Sequence, residues 1–117
     1  MPRLFALISA CLLLSASIAE AARLQLLVAY DRGCGEYSRW QQEVGATYPA
    51  SAEGRTAPLL PVAIDGAWPD GLALASRPRL SPTFVLLRDG FELGRIEGYR
   101  GANEFRAALD QMLGRAD

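Results

Sequence analysis

The chain has 117 residues, enough for one domain, and sets 12 arginines against 13 acidic residues with neither lysine nor histidine. That balance carries no basic footprint for nucleic acid. Without histidine there is no Ser-His-Asp or Cys-His catalysis and no His-based metal site, and without lysine no Schiff base and no P-loop. Cysteine leads the residue types left for covalent chemistry, and neither a cofactor nor a metal is expected.

Residues 1–21 read as a secretory signal peptide: Arg3, the mostly apolar run Leu4–Leu14, then small residues leading to Ala19-Glu20-Ala21. The apolar stretch is short for a membrane span, so membrane contact is expected only through this leader. Ile8-Ser9-Ala10-Cys11 offers a rival lipoprotein site, but the apolar run continues past Cys11. Cleavage after Ala21 would remove Cys11 and leave residues 22–117 as one exported domain, in the periplasm or secreted. Cys34 would be its single cysteine, so no internal disulfide could staple it, and its apolar core must hold it.

Arg23–Tyr30 is an apolar-rich run closed by Asp31-Arg32-Gly33, which predicts a buried strand. After Gly33-Cys34-Gly35, the spacing of Tyr37, Trp40 and Val44 predicts a helix that ends by Gly45–Pro49. Pro49–Pro58 reads as a surface connection. Leu59–Ile64 predicts a second strand, and Pro61 inside it means that the strand lies at a sheet edge or starts late. Residues 67–80 carry Pro69, Gly71 and Pro78, with one short helix expected around Asp70–Ser76. Thr83–Arg88 and Phe91–Glu97 flank Asp89-Gly90, a strong hairpin signal. A last helix is expected from about Asn103, as its cap, to Leu113. The order β-α-β-(α)-β-β-α makes an α/β fold with a four-stranded mixed sheet.

Cys34 falls between the first strand and the first helical turn, where free backbone N–H groups and the helix dipole favour a thiolate. Arg32 and Arg39 add positive potential in sequence, and Glu36 opposes it. The competing reading is a buried packing cysteine, since free cysteine is among the most buried residue types. Glycine on both sides leaves the sulfur little local packing, which favours function. Trp40 is expected in the core, and Trp68, beside Pro69, is a candidate to line a groove near Cys34.

Gly33-Cys34-Gly35-Glu36-Tyr37, followed by Ser81-Pro82-Thr83-Phe84 and then a hairpin and helix, resembles a thioredoxin-like fold. The runs Arg39–Gly45, Ala52–Leu59, Ser81–Leu86 and Gly94–Tyr99 resemble the small periplasmic SoxS-type thioredoxin-like proteins of bacterial sulfur oxidation. The resemblance covers nearly all of residues 22–117. It implies Cys34 as the attacking thiol and a surface for an extended partner segment made by Ser81, Pro82, Thr83, Gly35 and Tyr37. Pro82 would be a cis-proline facing the sulfur, an isomer that only the resemblance supplies. Gly98 resembles the glycine after the hairpin of this fold, though a plain backbone turn explains it as well.

Such enzymes use Cys-x-x-Cys, and the second cysteine position here is Tyr37. No neighbouring thiol could then resolve a mixed disulfide. Two functions stay open: a monothiol oxidoreductase acting on thiols or disulfides of exported proteins, and a redox-inactive adaptor or regulator that binds partner segments. A glutathione-dependent mechanism is a narrower form of the first, weakened by the lack of lysine, with Arg32 as a substitute charge.

Overall fold

The computed structural model describes residues 23–116. The signal peptide expected over 1–21, with Cys11, lies outside the described residues, as do Ala22 and Asp117. Strands β1 (Leu24–Tyr30), β2 (Leu59–Ala63), β3 (Thr83–Arg88) and β4 (Phe91–Glu97) form one sheet in the order β2-β1-β3-β4. β1 runs parallel to β2 and antiparallel to β3, and β3 pairs with β4 in an antiparallel hairpin. The sheet is therefore mixed, and Pro61 lies on an edge strand, where its missing N–H breaks no central ladder.

β1 is apolar at consecutive positions because both of its faces are covered. Leu26 and Val28 point into one core with Trp40, Phe84, Leu86, Phe105 and Leu109. Leu27 and Ala29 point the other way, onto Val62, Val85 and Leu87. On the first face lie helix α1 (Gly35–Trp40), which widens into a π-helical turn at Gln41–Gly45, and helix α3 (Ala102–Arg115). The wide turn is closed by the Ala46 amide donating to the Gln41 carbonyl at 2.9 Å. Gly45 sits against the Trp40 ring, where a Cβ would come within 2.7 Å of the indole.

The segment Pro49–Pro58 is more ordered than its composition predicts. A 3-10 turn at Tyr48–Ala50 leads into a short helix, α2 (Ala52–Thr56), capped by the Ser51 hydroxyl, which accepts from the Gly54 amide at 3.0 Å. The buried Tyr48 hydroxyl donates to the Ala57 carbonyl at 2.7 Å and ties the helix end down. Burial, with the charge of Glu53 second, pushes the Tyr48 phenol far above its ordinary range.

The short helix expected at Asp70–Ser76 is absent, so the additional helix of the fold stands before β2 and not after it. The chain instead crosses the second sheet face in irregular form, and Trp68, Leu72 and Leu74 pack on that core. Beyond the face it meets β4. The Ala73 amide donates to the Gly90 carbonyl at 2.8 Å, and the Glu92 amide donates to the Ala73 carbonyl at 3.0 Å. Outside regular structure these backbone groups need partners elsewhere, and the edge of β4 supplies them at Ala73. The hairpin turn uses left-handed conformations at Asp89 (φ 49°) and Gly90 (φ 85°), the pattern of a type I′ turn. A Cβ on Gly90 would also overlap the Gly71 carbonyl oxygen. Asn103 is not the cap of α3: the helix begins at Ala102, after Gly101, with no side-chain cap.

Glu92 and Arg95 fix this crossing segment. Arg95 donates twice to Glu92, at 2.8 and 2.7 Å, and once to the Ser76 carbonyl at 2.6 Å. Glu92 also accepts from the Ala75 amide at 3.0 Å. The Arg95 hydrogen bonds hold the Glu92 carboxyl below the ordinary glutamate range, burial opposes them, and the Ala75 amide assists. A carboxyl depressed on folding stabilises fully above its unfolded value and loses that contribution as pH falls through its folded one. Glu92→Gln should cost about 1–3 kcal/mol at neutral pH, measured by urea unfolding. The gap between variant and parent should narrow as acid protonates Glu92 in the parent.

Candidate active site

The antiparallel register of β1 with β3 sets Ala29 opposite Thr83. The chain leaving β1 and the chain entering β3 therefore meet at one end of the sheet. Gly33 turns with φ 83°, and Cys34 follows in extended conformation as the residue before α1. Its amide donates to the Asp31 carbonyl at 3.2 Å, and its own carbonyl accepts from the Ser38 amide at 3.1 Å. The sulfur thus stands at the first turn of the helix, half-buried and free of any disulfide.

Facing it is the Ser81–Pro82 turn, whose peptide bond is cis. The Cys34 thiol donates to the Ser81 carbonyl at 3.4 Å. The Ser81 hydroxyl accepts from the Asp31 amide at 2.8 Å. Pro82 is buried, and its carbonyl accepts from the Gly98 amide at 2.8 Å. Three chain segments, 31–34, 81–82 and 98, are thus linked around one thiol. A Cβ on Gly35 would meet nothing within 4 Å, so the helix start beside the sulfur is open.

The other residues assigned from sequence fall in different places. Thr83 is buried, and its hydroxyl donates to the Leu80 carbonyl at 2.6 Å, which braces the turn from beneath. Tyr37 is stacked on Tyr30 with ring centroids 4.5 Å apart and lies 6.1 Å from Trp40. Its hydroxyl accepts from Gln41 at 2.9 Å, and burial, with Tyr30 second, raises it above the ordinary phenol range. Tyr37 therefore joins the end of β1 to the aromatic core of Trp40, Phe84 and Phe105. Arg39, expected to add positive potential at the sulfur, instead pairs with Glu43 at 3.2 Å and stands 5.0 Å over the Tyr99 ring. Trp68 belongs to the second core and donates to the Ile64 carbonyl at 3.1 Å.

Among solved structures, the periplasmic thioredoxin SoxS from Paracoccus pantotrophus, in its reduced form, is similar at 38% identity with a TM-score of 0.78. The match covers 81% of this chain and 100% of that one. This chain belongs to the thioredoxin-like superfamily. Thioredoxins from Fasciola hepatica (19% identity, TM-score 0.54, 78% of this chain and 82% of that one) and Malassezia sympodialis (16%, 0.52, 79% and 76%) share the fold of this domain. No family model and no curated protein matches it. No helix among the described residues of the thioredoxin-like domain is long and apolar enough to cross a membrane.

The links from Asp31 to Ser81 and from Gly98 to Pro82 were not readable in the sequence, since no local pattern marks a hydrogen bond between residues 50 or 16 apart. Ser81→Ala removes the hydroxyl that holds the Asp31 amide. It should lower stability by about 0.5–1.5 kcal/mol and raise the hydrogen-exchange rate of the Asp31 amide above that of the central β1 amides.

Proposed function

We propose that this thioredoxin-like protein acts in the periplasm, where Cys34 forms mixed disulfides with exported partner proteins in a sulfur-oxidation setting. The observation that carries the reading is the half-buried Cys34 sulfur at the helix start, 3.4 Å from the carbonyl of the Ser81–Pro82 turn. The leader-like residues 1–21 and the likeness to a periplasmic SoxS support the compartment and the setting. Ser81 and Pro82 offer the backbone on which an extended partner segment would lie, and the open face at Gly35 admits its sulfur. Thr83 and Tyr37 serve this surface from below, one bracing the turn and the other anchoring the helix.

The chemistry is thiol–disulfide exchange. The Cys34 thiolate attacks one sulfur of a partner disulfide, the partner S–S bond breaks, and a Cys34–partner disulfide forms. The departing sulfur leaves as a thiolate and takes up a proton, so Cys34 is oxidised as that sulfur is reduced. Tyr37 stands where a resolving cysteine would stand, so return to the free thiol requires a second, external thiol.

The test uses the full chain carrying Cys11→Ser, so that only Cys34 can react. A small symmetric disulfide should add one mixed disulfide per folded chain by intact mass, and none to a chain that also carries Cys34→Ser. A folded protein that takes up no adduct, while its urea-unfolded form takes up one, would instead support the redox-inactive adaptor.

A further inference from the structure

The segment that crosses the second sheet face ends beside the thiol, and its last residues carry unpaired charge. Ser76, Arg77, Arg79 and Leu80 form one wall of a groove of about 390 Å³, with Arg95 and Glu97 of β4 as the other. Leu80 is 55% exposed and directly precedes Ser81, whose carbonyl takes the thiol's hydrogen bond. On the opposite wall, Glu97 pairs across the sheet with Thr83, one residue past Pro82. The groove is thus continuous in chain with both sides of the Ser81–Pro82 turn.

The charges within it are unequal. Arg95 is neutralised by Glu92 at 2.7 Å and by Glu97 at 3.8 Å. Among the described residues, neither Arg77 nor Arg79 forms an ion pair. The Arg77 guanidinium lies 4.8 Å over the Trp68 ring, which holds it at the groove without neutralising it. Both arginines are exposed, on a chain whose net charge is −1, so this positive potential is local. The segment that carries them is itself fixed at Ser76 by Arg95.

We propose that this groove selects partner segments with acidic residues flanking the reacting cysteine, their carboxylates facing Arg77 and Arg79 and an apolar neighbour resting on Leu80. The inference deepens the mixed-disulfide reading and rests on it. Opposite charges placed beside a reacting centre raise the encounter rate, and salt screens the effect.

The test is the rate at which Cys34, in the full chain with Cys11→Ser, forms a disulfide with short synthetic peptides. Each peptide carries one cysteine activated as a 2-thiopyridyl disulfide, flanked by Glu, Gln or Arg. The Cys34 thiolate displaces 2-thiopyridone, whose absorbance reports the rate, and the peptide remains on Cys34. At low ionic strength the Glu peptide should react about tenfold faster than the Arg peptide, with the Gln peptide between them. About 1 M salt, with a Debye length of about 3 Å, should collapse the order.

Arg79→Gln should reduce the preference and Arg79→Glu should invert it. Arg115→Gln, which removes a charge at the far end of α3, should leave it in place. Equal rates for the three peptides, or a preference that survives Arg79→Glu, would overturn the electrostatic selection while leaving the mixed disulfide standing. If no peptide forms an adduct, the mixed-disulfide reading falls, and this inference falls with it.

Discussion

The pairing of Ala29 with Thr83 brings the end of β1 onto the start of β3, and the site follows from that contact. Two turns distant in sequence leave the sheet at the same end because the strands run in opposite directions. One carries Cys34 into α1 and the other carries Ser81 and Pro82 into β3. The Asp31 amide then reaches the Ser81 hydroxyl and the thiol reaches the Ser81 carbonyl. Shifting this register by one residue would turn Val85 and Leu87 toward the helices and Phe84 and Leu86 away from them. The two cores would then no longer match their covers. Burial of both sheet faces therefore also fixes the position of the sulfur.

The two covers do different work. On the helical face, Trp40, Phe84 and Phe105 pack ring against ring, and Tyr37 extends that contact to Tyr30 at the site. A helix start resting on such a core gives the thiol a fixed position. On the other face the chain from Ile64 to Leu80 is irregular and depends on partners outside itself, chiefly the β4 edge and the Glu92–Arg95 pair. That dependence brings Arg77, Arg79 and Leu80 alongside the turn that faces Cys34.

Much of this was legible in the sequence where a local rule governed. The apolar-rich run of β1, Pro61 in a strand at the sheet edge and Asp89-Gly90 in the hairpin each follow from local chemistry. The order of elements and the resemblance together placed Cys34 and Pro82. Less legible was whatever depended on distant partners. Ser51 caps α2, but small polar residues and Gly54 hid the helix, which the Tyr48 hydroxyl secures at Ala57. Ala73 pairs with Phe91 across a gap that no periodicity reports. Arg39 lies close to Cys34 in sequence, yet the turn of α1 directs it to Glu43 and Tyr99. Charge near a thiol in sequence is a poor guide to charge near it in space.

The central claim is that one sulfur performs the first half of thiol–disulfide exchange and nothing in the domain performs the second. The most direct measurement isolates the Cys34 adduct on the folded Cys11→Ser chain, removes all free thiol, and follows intact mass over time. The adduct should persist unchanged and disappear only when an external thiol is added. Spontaneous return of the folded chain to its free thiol, with no thiol supplied, would contradict the account.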